Sequence, residues 1–211
     1  MKTITFILVL LFSANVFATD DKYLEQMGKH IQAVYAAQTN EQYQEAVNAF
    51  DRIAAAEKTK WEPYYYSAFG SVMMANNEKE AAKKDTYLDK ALAAIETGKS
   101  INPSESELVA LEGFVHMIRV SVDPATRGQQ YSGMAFQTYN KALGMNPDNP
   151  RVLGFLAQMQ MGVARFMGSP TTDACETGKK ALEKFVTYKS DNPLAPQWGK
   201  GMTEGLLQSC K

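Results

Sequence analysis

The stretch Ala135-Phe136-Gln137-Thr138-Tyr139-Asn140-Lys141-Ala142-Leu143-Gly144-Met145-Asn146-Pro147 decides the fold of this chain. Ala135, Tyr139 and Ala142 stand at i, i+4 and i+7, the spacing that puts side chains on one face of an α-helix. A small residue at the first position lets a second backbone come close, and the tyrosine ring fills the space beside it. Asn146-Pro147 then stops the helix, because the residue before a proline is driven out of the α region. The arrangement recurs at Ala46/Phe50/Ile53, Ala91/Ile95/Gly98 and Ala181/Phe185/Tyr188, and Asn102-Pro103 and Asn192-Pro193 follow the second and fourth copies at the same offset. The copies start about 45 residues apart, and a fixed period of that size indicates stacked supersecondary units rather than one closed core.

A second helix precedes each of these, over about 21–38, 62–74, 106–120 and 150–166. Ser104 with Glu107 reads as a capping box, Asn149-Pro150 as an N-cap with proline at the first helical position, and Asp173 with Glu176 as a later start. Turns fall at Thr39-Asn40, Asn76-Asn77, Asp123-Pro124 and Gly168-Ser169-Pro170. No convincing alternating strand pattern occurs after the N-terminal segment.

These motifs resemble the tetratricopeptide-repeat family, whose second helix reads Ala-x3-aromatic-x2-Ala-x4-Pro. Ala135, Tyr139, Ala142 and Pro147 match all four places; Ala91, Ile95, Gly98 and Pro103, and Ala181, Phe185, Tyr188 and Pro193, match with substitutions. Phe69-Gly70 and Leu156-Ala157 are similar to the family's first-helix pair, of which Glu112-Gly113 keeps only the glycine. The resemblance implies an all-α, right-handed superhelical solenoid of about four helical hairpins. They would span about 21–60, 61–103, 104–147 and 148–193, with a capping helix within 194–211. The family period is about 34 residues, so repeats two to four carry about ten extra residues each between their helices. Longer helices and longer turns would absorb them, the turns projecting from one edge.

The family's concave groove would be lined by Tyr64, Ser67, Ser71 and Met74 in repeat two, Glu107, Ala110, Phe114 and Met117 in repeat three, and Arg151, Gly154, Gln158 and Met161 in repeat four. Aromatic rings, thioethers and sparse charge suit an extended peptide or an amphipathic helix. The resemblance thus implies a non-enzymatic protein- or peptide-binding scaffold without a cofactor. The chain also resembles exported repeat proteins of bacterial envelopes, above all in Leu194-Ala195-Pro196-Gln197-Trp198.

The ends agree with export. Met1-Lys2-Thr3, the apolar run from Ile4 to Phe12 and Val16-Phe17-Ala18 have the form of a secretory leader cleaved after Ala18, a retained N-terminal anchor being the other reading. Removal of residues 1–18 leaves one domain over 19–211 and takes the formal charge from −1 to −2, because Lys2 leaves with it. Without a basic excess or stripe, nucleic acid is not the expected partner. Lys79, Lys83 and Lys84 alternate with Glu78, Glu80 and Asp85, as on a solvated helix face. Two cysteines, Cys175 and Cys210, point in an exported chain to one disulfide of the terminal cap, two free thiols being the alternative.

Chemistry-bearing motifs are scarce. His30 and His116 stand alone on first helices of different repeats, and no metalloprotease, nucleophile-elbow, Walker or dinucleotide pattern occurs. Met73, Met74, Met117, Met134, Met145, Met159, Met161 and Met167 leave open a second function class, a small-molecule or Cu(I) carrier with a methionine-lined groove. Packing or groove lining is the commoner use of methionine. Tyr64-Tyr65-Tyr66 spread over about 200° of a helix, so at least one ring is expected outside the core.

Overall fold

The computed structural model describes residues 10–210, with side chains from Asp21 onward. The expected leader at 1–18 therefore lies in large part outside the described residues. Nine helices appear among them: α1 (Leu10–Ala36), α2 (Asn40–Ala56), α3 (Glu62–Asn77), α4 (Ala81–Ile101), α5 (Ser106–Val122), α6 (Pro124–Met145), α7 (Pro150–Met167), α8 (Thr172–Thr187) and α9 (Lys200–Leu207). Consecutive pairs α1–α2, α3–α4, α5–α6 and α7–α8 form four helical hairpins, and α9 packs on α7 and α8. No described helix is long and apolar enough to cross a membrane.

The repeated motif faces the seams as its spacing requires. Ala135, Tyr139 and Ala142 are fully buried, as are Ala91 and Ile95, Phe50 and Ala181. The α5–α6 seam shows why the small residue matters: a Cβ built on Gly113 would lie 2.3 Å from the Tyr139 ring. The Tyr139 ring continues into the next hairpin, stacking on Phe155 with centroids 5.8 Å apart. Phe50 likewise stacks on Tyr66 of the following hairpin at 5.4 Å, so these two rings close their own hairpins and join them to the next, a burial of roughly 1.5–3 kcal/mol per ring.

Local chemistry sets most boundaries. Thr39 and Gln42 complete a capping box at α2, with the Gln42 amide donating to Thr39 Oγ1 and the Thr39 amide to Gln42 Oε1. Asn149 caps α7 by accepting from the amides of Arg151 and Val152, with Pro150 at the first turn. Asn102 and Asn146 end α4 and α6.

Several expectations are corrected. The extra residues of the long repeats form helix rather than projecting turns: α4 and α6 run to 21 and 22 residues, against 17 for α2. Only residues 78–80 separate α3 from α4, and Asp123 alone separates α5 from α6. The physical reason lies in composition, since Ala81-Ala82-Lys83-Lys84 and its surroundings hold strong helix formers with no Gly or Pro. Ser104 does not cap α5; its hydroxyl donates to Asn102 Oδ1, and Glu105 accepts from the Glu107 amide instead. Thr171 occupies the cap position of α8, leaving Asp173 in the first turn. Asn192-Pro193 does not end α8, which stops at Thr187 with Tyr188 extended.

Candidate binding site

Beyond Tyr188 the chain leaves helical structure until Lys200, and this segment crosses the first helix of all four hairpins. Asn192 Nδ2 donates to Glu62 Oε1 at 3.0 Å, and the Tyr66 hydroxyl donates to the Leu194 carbonyl at 2.7 Å. The Gln197 amide donates to Tyr35 Oη at 3.2 Å, and Trp198 Nε1 to Tyr65 Oη at 3.0 Å. The indole lies against Phe69, Phe155 and Phe114, at centroid distances of 4.6, 5.5 and 5.9 Å. Desolvation inside this layer holds the Tyr65 and Tyr66 hydroxyls far above the ordinary tyrosine range, so both stay protonated and serve as neutral hydrogen-bonding groups.

Beneath the strap is a buried ion pair. Arg151 Nη2 and Nε reach Glu107 Oε1 and Oε2 at 2.6 and 2.7 Å, both side chains being almost wholly buried. Asn149 Nδ2 donates to Glu107 Oε1 at 2.8 Å and to Ser106 Oγ at 3.1 Å. Arg151 Nη1 also reaches the Trp198 carbonyl at 3.4 Å, and its guanidinium lies 5.5 Å from the Tyr188 ring centroid. Burial alone would lower the Arg151 pKa, but its bonds to Glu107 outweigh that and raise it. The strap then turns at Gly199, φ +105°, a left-handed conformation that favours glycine. Disulfide Cys175–Cys210, with Cα atoms 5.8 Å apart, ties the end of α9 to α8.

Residues expected along the groove distribute unevenly. Glu107, Phe114 and Arg151 come together under the strap, Phe114 stacking on Phe155 at 4.6 Å. Ser67 turns into the α2–α3 seam, donating to Asp51 Oδ1 at 2.5 Å, and Ser71 donates to the Ser67 carbonyl. Met117 lies in the α5–α6 seam with its sulfur 3.9 Å from Tyr139 Oη. Met74, Ala110 and Met161 are buried, while Tyr64 and Gln158 are half-buried. Gly154 meets Thr203 of α9, where a Cβ would lie 2.5 Å from the hydroxyl. In repeat two the helix presents Glu62, Tyr65, Tyr66 and Phe69 to the strap, a register that sequence reasoning missed. The methionines do not share one surface: Met74 and Met159 are core residues, while Met134, Met145 and Met167 are exposed on α6 and α7.

An open cleft of about 510 Å³ lies elsewhere, between α1 and α2. Lys22, Tyr23, Gln26 and His30 line it from α1, and Ala49, Arg52, Ile53 and Ala56 from α2, with Glu57 at the end of the second helix. Both sets follow helical spacing, so the two helices present facing stripes. The walls combine the buried Tyr23 ring, the buried Ala49 and the half-buried Ile53, whereas Lys22 and Arg52 are exposed. His30 meets Phe50 edge to face at 6.1 Å. Desolvation, then Lys29 and Arg52, lower the His30 pKa, favouring the neutral imidazole. Among the described residues, no group of three or more His, Cys, Asp or Glu is placed to hold a metal ion.

No family model and no curated protein matches the chain. Among solved structures it is similar to the HusA haemophore from Porphyromonas gingivalis, with 26% identity and a TM-score of 0.80, covering 90% of this chain and 92% of the haemophore. It is also similar to a tetratricopeptide-repeat protein of Thermus thermophilus, at 16% identity and a TM-score of 0.58, covering 94% and 97% of the two chains. The helical hairpins, the interlocked small and aromatic positions and these two likenesses make this chain an all-α, tetratricopeptide-repeat-like protein.

Proposed function

We propose that the protein is a non-enzymatic carrier of the bacterial envelope that binds a flat, anionic tetrapyrrole of the haem type in the cleft between α1 and α2. The observation that carries this reading is the likeness to a haemophore over 90% of this chain at 26% identity. The cleft's volume lies within the range of small-molecule sites, about 300–1,000 Å³. Ala49, Ile53 and Ala56 supply its apolar wall on α2, while Lys22 and Arg52 can meet carboxylates at the mouth. The alternative groove on the first helices is filled by the chain's own strap, which supports the cleft over a peptide groove.

Titration of the exported form with haemin and with iron-free protoporphyrin IX, followed by Soret absorbance and tryptophan quenching, tests the proposal. Saturable binding with a Kd of about 1 μM or tighter is expected, weakened by Lys22→Glu with Arg52→Glu. Absence of saturation with either ligand refutes it. N-terminal sequencing of the exported form should start at Thr19, and an intact Met1 refutes export by leader cleavage.

A second reading, a protein-binding scaffold, is favoured by the end of α7, where Phe166 and Met167 are 87% and 67% exposed. The half-buried Tyr64, Met117 and Gln158 would contribute on this reading. Capture of an envelope protein that is lost in Phe166→Ser/Met167→Ser, together with failure to bind tetrapyrrole, would favour it.

A further inference from the structure

We infer that the tip of the α7–α8 hairpin, with Phe166 and Met167 at its point, enters the surface layer of a lipid bilayer and holds the protein there reversibly. The inference goes beyond the carrier reading and does not depend on which ligand the α1–α2 cleft takes. It gives to lipid the tip that a scaffold would give to a protein, and the experiment below separates the two.

Shape carries the first part of the argument. Around Gly168-Ser169-Pro170, residues 162–170 are exposed except the half-buried Ala164, so this end of the hairpin stands clear of its neighbours. Phe166 and Met167 are 87% and 67% exposed, and Val163 joins them one turn earlier. A phenylalanine offers about 150–250 Å² of contact area. Even with Met167 and Val163 the point falls well short of the roughly 800 Å² per side that a stable protein interface takes. A lipid headgroup layer asks for less area and admits a convex shape. From Gly162 to Met167 the helix rises about 8 Å, within the depth of about 5–10 Å to which interfacial apolar groups enter.

Backbone and charge agree with that occupant. Polar main-chain groups that leave water need internal partners. Gly168, in the left-handed conformation, donates its amide to the carbonyls of Ala164 and Arg165, and the Ser169 amide donates to the Ala164 carbonyl at 2.8 Å. Between Asp123 and Asp173 the sequence holds one acid, Asp148, and it pairs with Lys184. Lys141 and Arg165 are exposed cations of the same stretch. Met134 and Met145 are exposed on α6, which packs against α7, so most of the large apolar side chains exposed among the described residues belong to this pair of helices. Asp173 and Glu176, in the first two turns of α8, are the acids that follow the tip and oppose an anionic surface. Apolar insertion must therefore supply most of the binding, with lipid charge a smaller contribution.

The test is flotation of the exported form with two kinds of vesicle, phosphatidylcholine alone and an equal mixture with phosphatidylglycerol. Wild type should float with both, and added salt should leave its binding to phosphatidylcholine unchanged. The anionic mixture should bind more tightly by about fivefold at most for each of Lys141 and Arg165. Phe166→Ser/Met167→Ser should weaken binding to both vesicles by about tenfold or more. Both side chains are exposed, so the variant should fold, which circular dichroism verifies. Arg165→Gln should lower only the preference for the anionic mixture. Flotation that survives Phe166→Ser/Met167→Ser overturns the inference, as does binding confined to the anionic mixture and abolished by salt. Wild type that floats with neither vesicle also overturns it, and capture of an envelope protein through the same two residues would then return the tip to the scaffold reading. Tetrapyrrole titration reads the cleft separately, so either proposal can fail while the other stands.

Discussion

Trp198→Ala should destabilise the protein by about 3–5 kcal/mol, the range for removing a large aromatic from a packed site. The indole touches Phe69, Phe114 and Phe155, and aromatic pairs contribute about 0.5–1.5 kcal/mol each beyond area burial. It also donates to the hydroxyl of Tyr65, a fully buried residue, and leaving such a group unpaired costs about 1–3 kcal/mol. These contributions overlap, so they bound the loss rather than add. Trp198→Phe separates them, because it keeps a ring and loses the donor, and should cost about 1–2 kcal/mol. The variant should also change cooperativity. An open repeat array unfolds piecewise, but a strap bonded to α1, α3 and α7 couples distant repeats. Denaturant unfolding followed by far-ultraviolet circular dichroism and by Trp61 fluorescence should give noncoincident transitions in Trp198→Ala. A loss below about 1 kcal/mol with coincident transitions would refute the view that the strap clasps the solenoid.

Breaking the buried pair by Glu107→Gln should cost about 3–5 kcal/mol, whereas Glu107→Leu/Arg151→Met should recover much of it; chemical denaturation decides, and an additive double variant would refute a paired role. Ala135→Leu should cost about 1–3 kcal/mol in the closed α5–α6 layer while exposed Lys79→Leu stays within about 0.5, and equal effects in thermal melts would refute the register. Reduction of Cys175–Cys210, verified by mass after alkylation, should lower stability by about 3–4 kcal/mol through the closed loop alone, and an unchanged melting temperature refutes that. His116 has its pKa lowered by burial, then by Arg119 and Lys99, against an opposing effect of Glu112, and it therefore binds protons more readily unfolded than folded. Its contribution is complete above the ordinary value of about 6.5 and is lost as pH falls through it. Melting temperatures from pH 7.5 to 5.5 should fall more steeply in wild type than in His116→Gln, and parallel profiles would refute the assignment.

What the sequence determined by itself is the hairpin array. Ala135, Tyr139 and Ala142 lie within two helical turns, so their spacing names the buried face without knowledge of any partner. Proline after asparagine and the oxygen-bearing side chains of Thr39, Asp123 and Asn149 act on their own backbone within a few residues, which is why most helix ends could be read. The two cysteines paired as their small number suggested. The first-helix faces were less legible. Three residues of Tyr64-Tyr65-Tyr66 point in three directions, and only packing selects which of them meets the strap. Only the tertiary structure decided that 192–198 would cover the layer of first helices. Asn192 and Glu62 are 130 residues apart and Gln197 and Tyr35 162, and no periodicity spans such distances. The α1–α2 cleft was equally hidden, because Lys22 and His30 meet Arg52 and Ile53 only once the two helices have packed. Local chemistry therefore sets the elements of this protein, while its candidate site arises from long-range contacts that the chain makes only once those elements have stacked.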